Sequence, residues 1–436
     1  MSLIEDLKSQ LDRLETNGAA TLHDAEDNLG ALVDRLKLHA LLYPEPVFAV
    51  LRRVKPVFIH KNMAIVTRFA DVQEVLSRDD VFHVPYEEKM RVVTGGDNFF
   101  LGMQNSPEYE RDTAHMRAAI RRDDIEKKIV PFVAETAEAC VAASNGRLDV
   151  ATQLGRAVPA KWVAWYFGCV PPSDQDLIDW GTTIFQFLFA DPDNDPTLGA
   201  AARSASKKAC AWLDDAIAKR KADPANKTDD ILGRCLILQA SGAPGMNDLA
   251  IRNNLIGLIT GAIPTTAKCC ANALDELLKR PAELAKAQEA ARSNNDPVFS
   301  KYVFEALRFN PNNPGVFRNT AEDYVVARDS PHATLIPKGM QVLAATQSAM
   351  FDERHVDSPN EFRIDRPAYQ AMMWGYGLHT CFGQYVNQVQ IPGVLKPLLA
   401  RTNLRRAAGD AGQIAYSGPF PTRLGVEFDA AARATA

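Results

Sequence analysis

With 436 residues, 46% hydrophobic and 24% charged, the chain has the composition of a globular protein with a large core, neither disordered nor fibrous. Its net charge of -5 argues against nucleic acid as a partner, because neutralising phosphates requires a surplus of Lys and Arg. No stretch is apolar for long enough to span a membrane, and "MSLIEDLKSQ" lacks the positive charge and apolar run of a signal peptide, so a cytoplasmic protein with no membrane anchor is expected.

Residues 1–40 place Ile4, Leu7, Leu11 and Leu14, then Leu29, Leu32, Val33 and Leu36 at helical spacing, which predicts an N-terminal amphipathic helical extension. No linker or fixed-period repeat follows, so 41–436 reads as a single domain, and a monomer is expected. From "PEPVFAVLRRVKPVFIHKNMAIVTRF" the pattern runs helix, strand, strand, and "ADVQEVLSR" returns to helix. Positions 110 to 280 are helical in period between turn clusters such as "VPPSD" and "DPDNDPT". A long helix from about Asp248 to Arg280 is expected to be interrupted at Pro264. Beyond "ALRFNPNNPG" come short strands and coil, then a helix over 384–399 that Pro392 is expected to kink or end early. The layout is α+β, mainly α.

Seven cysteines form no CxxC pair, and most sit on apolar helical faces as small buried hydrophobes. Cys381 differs. In "WGYGLHTCFGQYV" glycines allow a tight turn, and the helix after Gly383 would aim its N–H groups and dipole at the sulfur, which suits a metal-bound thiolate. Upstream, "FEALR" sets Glu305 and Arg308 three apart on one helix face, where they pair. A strand-like stretch then leads to a loop holding Phe362, Arg363 and Arg366.

The order Glu-x-x-Arg, Phe-Arg-x-x-Arg and Gly-x-His-x-Cys-x-Gly resembles the haem-binding half of the cytochrome P450 family. The resemblance implies a triangular prism of about a dozen helices with small β-sheets, and a haem b (iron protoporphyrin IX) buried between distal and proximal helices with an axial cysteine thiolate. It implies Cys381 as the iron ligand, with Trp374 where the family usually has Phe. It further places His379, Arg318, Arg117, Phe382, Gly383 and Ala262 against the cofactor, and makes Glu305, Arg308 and Arg366 a charged network that locks the loop. In "NSPEYERDTAHMRAAIRR" the family's His-x-x-x-Arg is missing: Tyr109 and Thr113 stand there, Arg117 follows one turn later, and His115 reads as a surface histidine.

The resemblance also puts "GAIPTT" at the oxygen site. Gly261 and Thr265 match the family's Gly-x-(Asp/Glu)-Thr, but Pro264 replaces the acid, leaving Thr265, Thr266 and ordered water to move protons. Ile263 stands where peroxide-using relatives commonly carry Arg, and Lys268 reads as a solvated or backbone-capping side chain. Phe99, Phe100, Phe185, Phe189 and Val316 are expected to line an apolar pocket, although Phe185, Phe187 and Phe189 cannot share one helix face. The reading is a monooxygenase acting on an apolar small molecule with dioxygen and electrons from a separate ferredoxin and ferredoxin reductase. Alternatives are a peroxygenase or isomerase using hydrogen peroxide or an oxidised substrate, and a non-enzymatic haem or ligand-binding protein.

Overall fold

The computed structural model describes residues 44–430 apart from Pro224. The helical extension expected over 1–40 lies outside the described residues. The chain forms two compact units.

The first unit holds described residues 44–83, 313–361 and 367–378. Helix α1 (Glu45–Val54) leads into strands β1 (Val57–His60) and β2 (Met63–Val66), joined by a turn in which Lys61 takes φ 53°. Helix α2 (Phe69–Ser77) precedes the short β3 (Phe82–His83), and β4 (Val316–Thr320) and β5 (Gln341–Ala344) complete a five-stranded sheet in the order β1-β2-β5-β4-β3. Only the β2–β5 pairing is parallel, with Met63 opposite Gln341. Val47, Phe48 and Leu51, spaced three and four apart on α1, pack on Phe58, Ile65 and Leu343 of the sheet. Burial of that apolar stripe, more than helix propensity, holds a ten-residue helix in place.

The second unit holds residues 84–312, 362–366 and 379 onward and is mainly helical. The elements that build the site are α3 (Pro107–Ala119), α4 (Val130–Ala143), α5 (Asp174–Phe189), α6 (Asp248–Leu278), α7 (Asp296–Phe309) and α8 (Gln384–Leu399). Ser106 and Asn247 accept from N–H groups of the first turns of α3 and α6, the usual side-chain answer to unpaired helix N-termini. Helix α6 runs through the unit buried on nearly every side and packs on α5, α7 and α8. Among the described residues no helix is long and apolar enough to cross a membrane.

Two expectations about proline are corrected. Helix α6 is continuous across Pro264, and α8 runs through both Pro392 and Pro397 to Leu399. An internal proline removes one hydrogen bond and costs about 3 kcal/mol. On α8 that penalty is offset by burial of Ile391, Val394, Leu395, Leu398 and Leu399 and by tight apposition to α4, where a Cβ on Gly393 would lie 3.1 Å from Val133 Cγ1.

Candidate active site

Cys381 stands just before α8, with Gly383 as the residue that caps the helix. Burial pushes the Cys381 thiol up, while the backbone N–H of Gly383, the charge of Arg117 and the N–H of Gln384 pull it back down. Elsewhere burial prevails: it drives Cys169, Cys235 and Cys269 up to about 12, even with Arg220 beside Cys169 and Lys268 beside Cys269.

Helix α3 meets the cysteine loop through residues four apart. The Tyr109 ring lies 5.2 Å from that of His379, edge to face, and Arg117 Nη1 donates to the Phe382 carbonyl at 2.7 Å with its guanidinium 3.7 Å from the Phe382 ring centroid. Between them on the same face, Thr113 Oγ1 is buried and has no hydrogen-bond partner. Thr113 occupies the place where a charged family residue was expected, and its orphaned hydroxyl was not foreseen; the i, i+4 spacing of Tyr109, Thr113 and Arg117 was the available signal. His115, expected at the surface, is half-buried, with Nδ1 enclosed and unpartnered. Phe100 stacks at 5.0 Å on the other flank of Phe382.

The charged network is buried. Glu305 accepts from Arg308 Nη2 at 2.8 Å and Nε at 3.0 Å, from Arg366 Nε at 3.0 Å and from the backbone N–H of Arg363 at 3.0 Å. The three side chains are 5%, 4% and 9% exposed, so they are not the weak ion pairs of an exposed surface.

On α6, the Thr265 hydroxyl donates to the Gly261 carbonyl at 2.5 Å. The Thr266 hydroxyl lies 2.8 Å from the Ala262 carbonyl and 3.2 Å from Asn387 Oδ1, which brings α8 to the distal helix through a residue the sequence did not single out. Pro264 has no N–H to give, so the Thr260 carbonyl lacks its helical donor. The direction in which a Gly261 Cβ would point is open for 4 Å. Lys268 is neither solvated nor capping: it is 6% exposed.

Pocket phenylalanines separate as helical geometry requires. Phe185 contacts Phe189 and Phe420, whereas Phe187 turns to the Lys89 ammonium at 4.9 Å. Phe99 lies against α6, where a Cβ on Gly257 would fall 2.1 Å from its ring, so only glycine fits. In the first unit, Arg318 is 5% exposed on β4 and donates to the Phe317 carbonyl at 2.8 Å. Val316 begins that strand, and Trp374 is half-buried. Gly377 there takes φ 73°, and a Cβ would lie 2.3 Å from the Leu76 carbonyl oxygen.

These residues fit a haem. Cys381 stands at the start of α8 with Gly383 as its cap, the Thr113 hydroxyl awaits a polar partner one turn before Arg117, and open space faces Gly261.

Comparison with known proteins agrees. The family model described as cytochrome P450 matches residues 57–405. Cytochrome P450 109 of Bacillus spizizenii is 24% identical over 403 residues, covering 87% of this chain and 89% of that protein. The vitamin D(3) 25-hydroxylase of Pseudonocardia autotrophica is 22% identical over 366 residues, covering 80% and 83%. Among solved structures, P450BioI in complex with an acyl carrier protein ligated to hexadec-9Z-enoic acid superposes with a TM-score of 0.77 at 20% identity, covering 90% of this chain and 99% of that one.

Proposed function

From the premise that the chain belongs to the cytochrome P450 family of haem-thiolate oxidoreductases and is a monooxygenase, we propose that Cys381 is its thiolate ligand and that its substrate is a mainly apolar small molecule. The observation that carries the assignment is the place of Cys381 at the start of α8, its sulfur 3.9 Å from where a Cβ of the capping Gly383 would stand, with Arg117 bound to the carbonyl of the next residue, Phe382. A helix N-terminus and a guanidinium so placed stabilise negative charge on sulfur and hold the loop in one geometry.

When bound, haem supplies the activation of dioxygen and the transfer of one oxygen atom to substrate. The chain's residues do the rest. Tyr109, Thr113 and Arg117 form a polar face of α3 that would hold the haem, and the Glu305, Arg308 and Arg366 network fixes the segment leading to the cysteine loop. Thr265 holds its proton on the Gly261 carbonyl, poised to release it toward the open side of the helix. Thr266 and Asn387 extend the polar path to α8, and the Thr260 carbonyl freed by Pro264 is an acceptor for water. A relay of hydroxyls and water thus stands where the family's acid is missing. Phe99, Phe100, Phe185 and Phe189 supply the apolar walls that exclude bulk water.

Electrons come from a separate ferredoxin and its reductase. Arg121 and Arg122 are exposed near the start of α8, Arg122 lying 3.8 Å from the Tyr385 ring centroid, and an acidic partner docking there would be weakened by salt. Pro264 favours a second reading, a peroxygenase that needs no relay. The test is product formation from a panel of fatty acids, aromatics and terpenoids with NADH plus a ferredoxin pair, run beside hydrogen peroxide alone. Products in the electron-fed arm are expected; products only with peroxide would overturn the monooxygenase reading in favour of the second.

A further inference from the structure

One stripe of α6 carries Gly257, Gly261, Thr265, Lys268 and Asn272 at three- and four-residue spacing. At its start Gly257 abuts the Phe99 ring, and next comes the open space over Gly261. At its end Asn272 is satisfied, Nδ2 donating to the Asn310 side-chain and backbone oxygens at 3.1 and 3.2 Å and Oδ1 accepting from the Tyr416 hydroxyl at 2.8 Å. Lys268, between the open space and that closed end, is 6% exposed, and its ammonium makes no hydrogen bond or ion pair with any described residue. It is the sole cation of α6 between Arg252 and the helix end. A buried charge without a partner is strongly unfavourable, and a chain that keeps one on the helix stripe that carries the open space over Gly261 has a place for an anion.

We propose that Lys268 anchors a monoanionic head group of the substrate, a carboxylate at the end of an apolar body that lies along α6 between Phe99 and Asn272. The inference rests on the monooxygenase reading and narrows its substrate class. An ammonium donates up to three charge-assisted hydrogen bonds to a carboxylate without the planar pairing an arginine imposes, and a single cation matches a single negative charge. The anchor also fixes which carbon of the apolar body stands nearest Thr265, because Lys268 is one turn away from it.

The test measures binding to the haem-loaded protein by calorimetry at neutral pH with decanoate against decanol and naphthoate against naphthylmethanol. In at least one pair the carboxylate is expected to bind about ten- to hundredfold more tightly than the alcohol. In Lys268→Met that preference is lost while the alcohol's affinity stays within about twofold, and in Lys268→Arg a carboxylate preference is retained. Equal binding of acid and alcohol in both pairs, or a preference that survives Lys268→Met, overturns the anchor. The carbon monoxide difference spectrum of the same samples reports the haem-thiolate separately. A normal spectrum without carboxylate preference sinks the anchor alone, and an absent thiolate band sinks the reading beneath it.

Discussion

Arg117 grips Phe382 twice, through a 2.7 Å hydrogen bond to its carbonyl and a guanidinium 3.7 Å from its ring centroid. The residue after the proposed iron ligand is thereby tied to α3. A cation over an aromatic face contributes about 0.5–1 kcal/mol at exposed sites, and a hydrogen bond from a charged donor about 1.5–3 kcal/mol. Arg117→Met is expected to lower haem retained after gel filtration severalfold, with Arg117→Lys between mutant and wild type, measured as haem per protein. Full retention in Arg117→Met would show that the loop holds its shape without α3.

Glu305 is the single carboxylate that faces two buried arginines. Removing it takes a buried carboxylate from both Arg308 and Arg366, so Glu305→Ala is expected to destabilise the protein by about 3–5 kcal/mol. Glu305→Gln, which keeps the acceptor oxygen, should lose less. Urea unfolding of the two variants checks the order, and equal losses would mean that packing rather than charge governs the site.

Thr265 and Pro264 separate the two routes for protons. If hydroxyls and water carry them, Thr265→Ala should lower product formed per NADH consumed by about tenfold or more, within the range of general acid–base effects. Pro264→Asp should then change it by less than about twofold. A large gain on restoring the acid would show instead that the natural chain is poorly equipped for dioxygen and would favour the peroxygenase reading.

Lys268 gives the ligand-free protein a pH dependence whose sign is fixed by burial. Its pKa is pushed down to about 8 from 10.5, chiefly by desolvation and partly offset by Cys269. Below about pH 8 both folded and unfolded chains bind the proton, and the penalty of about 3 kcal/mol for burying the charge is present in full. Between about 8 and 10.5 the unfolded chain binds more protons, so stability rises with pH. Lys268→Met is expected to be more stable than wild type at pH 7, with the gap narrowing toward pH 10. Denaturant midpoints across that range report it, and a gap independent of pH would mean that folded and unfolded chains hold the proton equally, so that burial does not penalise the charge.

Local pattern was enough to mark out several elements. The β-branched run at Ile65, Val66 and Thr67 gave β2, which ends at Val66, the helical period from Asp248 gave α6, and the glycine-flanked Cys381 marked the turn proposed to bind iron, because each signal lies within a few residues of chain. Spacing paired Glu305 with Arg308, and the resemblance to the family added Arg366 to them. The prolines Pro264 and Pro392 were misleading for the complementary reason. Their local penalty is real, but whether a helix survives it depends on what its other face buries, and α6 and α8 bury most of theirs. The same holds for Lys268, Thr113 and Asn387. A lysine or threonine on a helix has a surface prior, and only the packing of neighbouring helices decided that Lys268 is enclosed without a partner, that Thr113 Oγ1 is an orphan and that Asn387 reaches Thr266. The sequence by itself determined which chemistry the chain carries. Tertiary structure decided which polar groups are cut off from water, since burial depends on contacts between segments far apart in the chain.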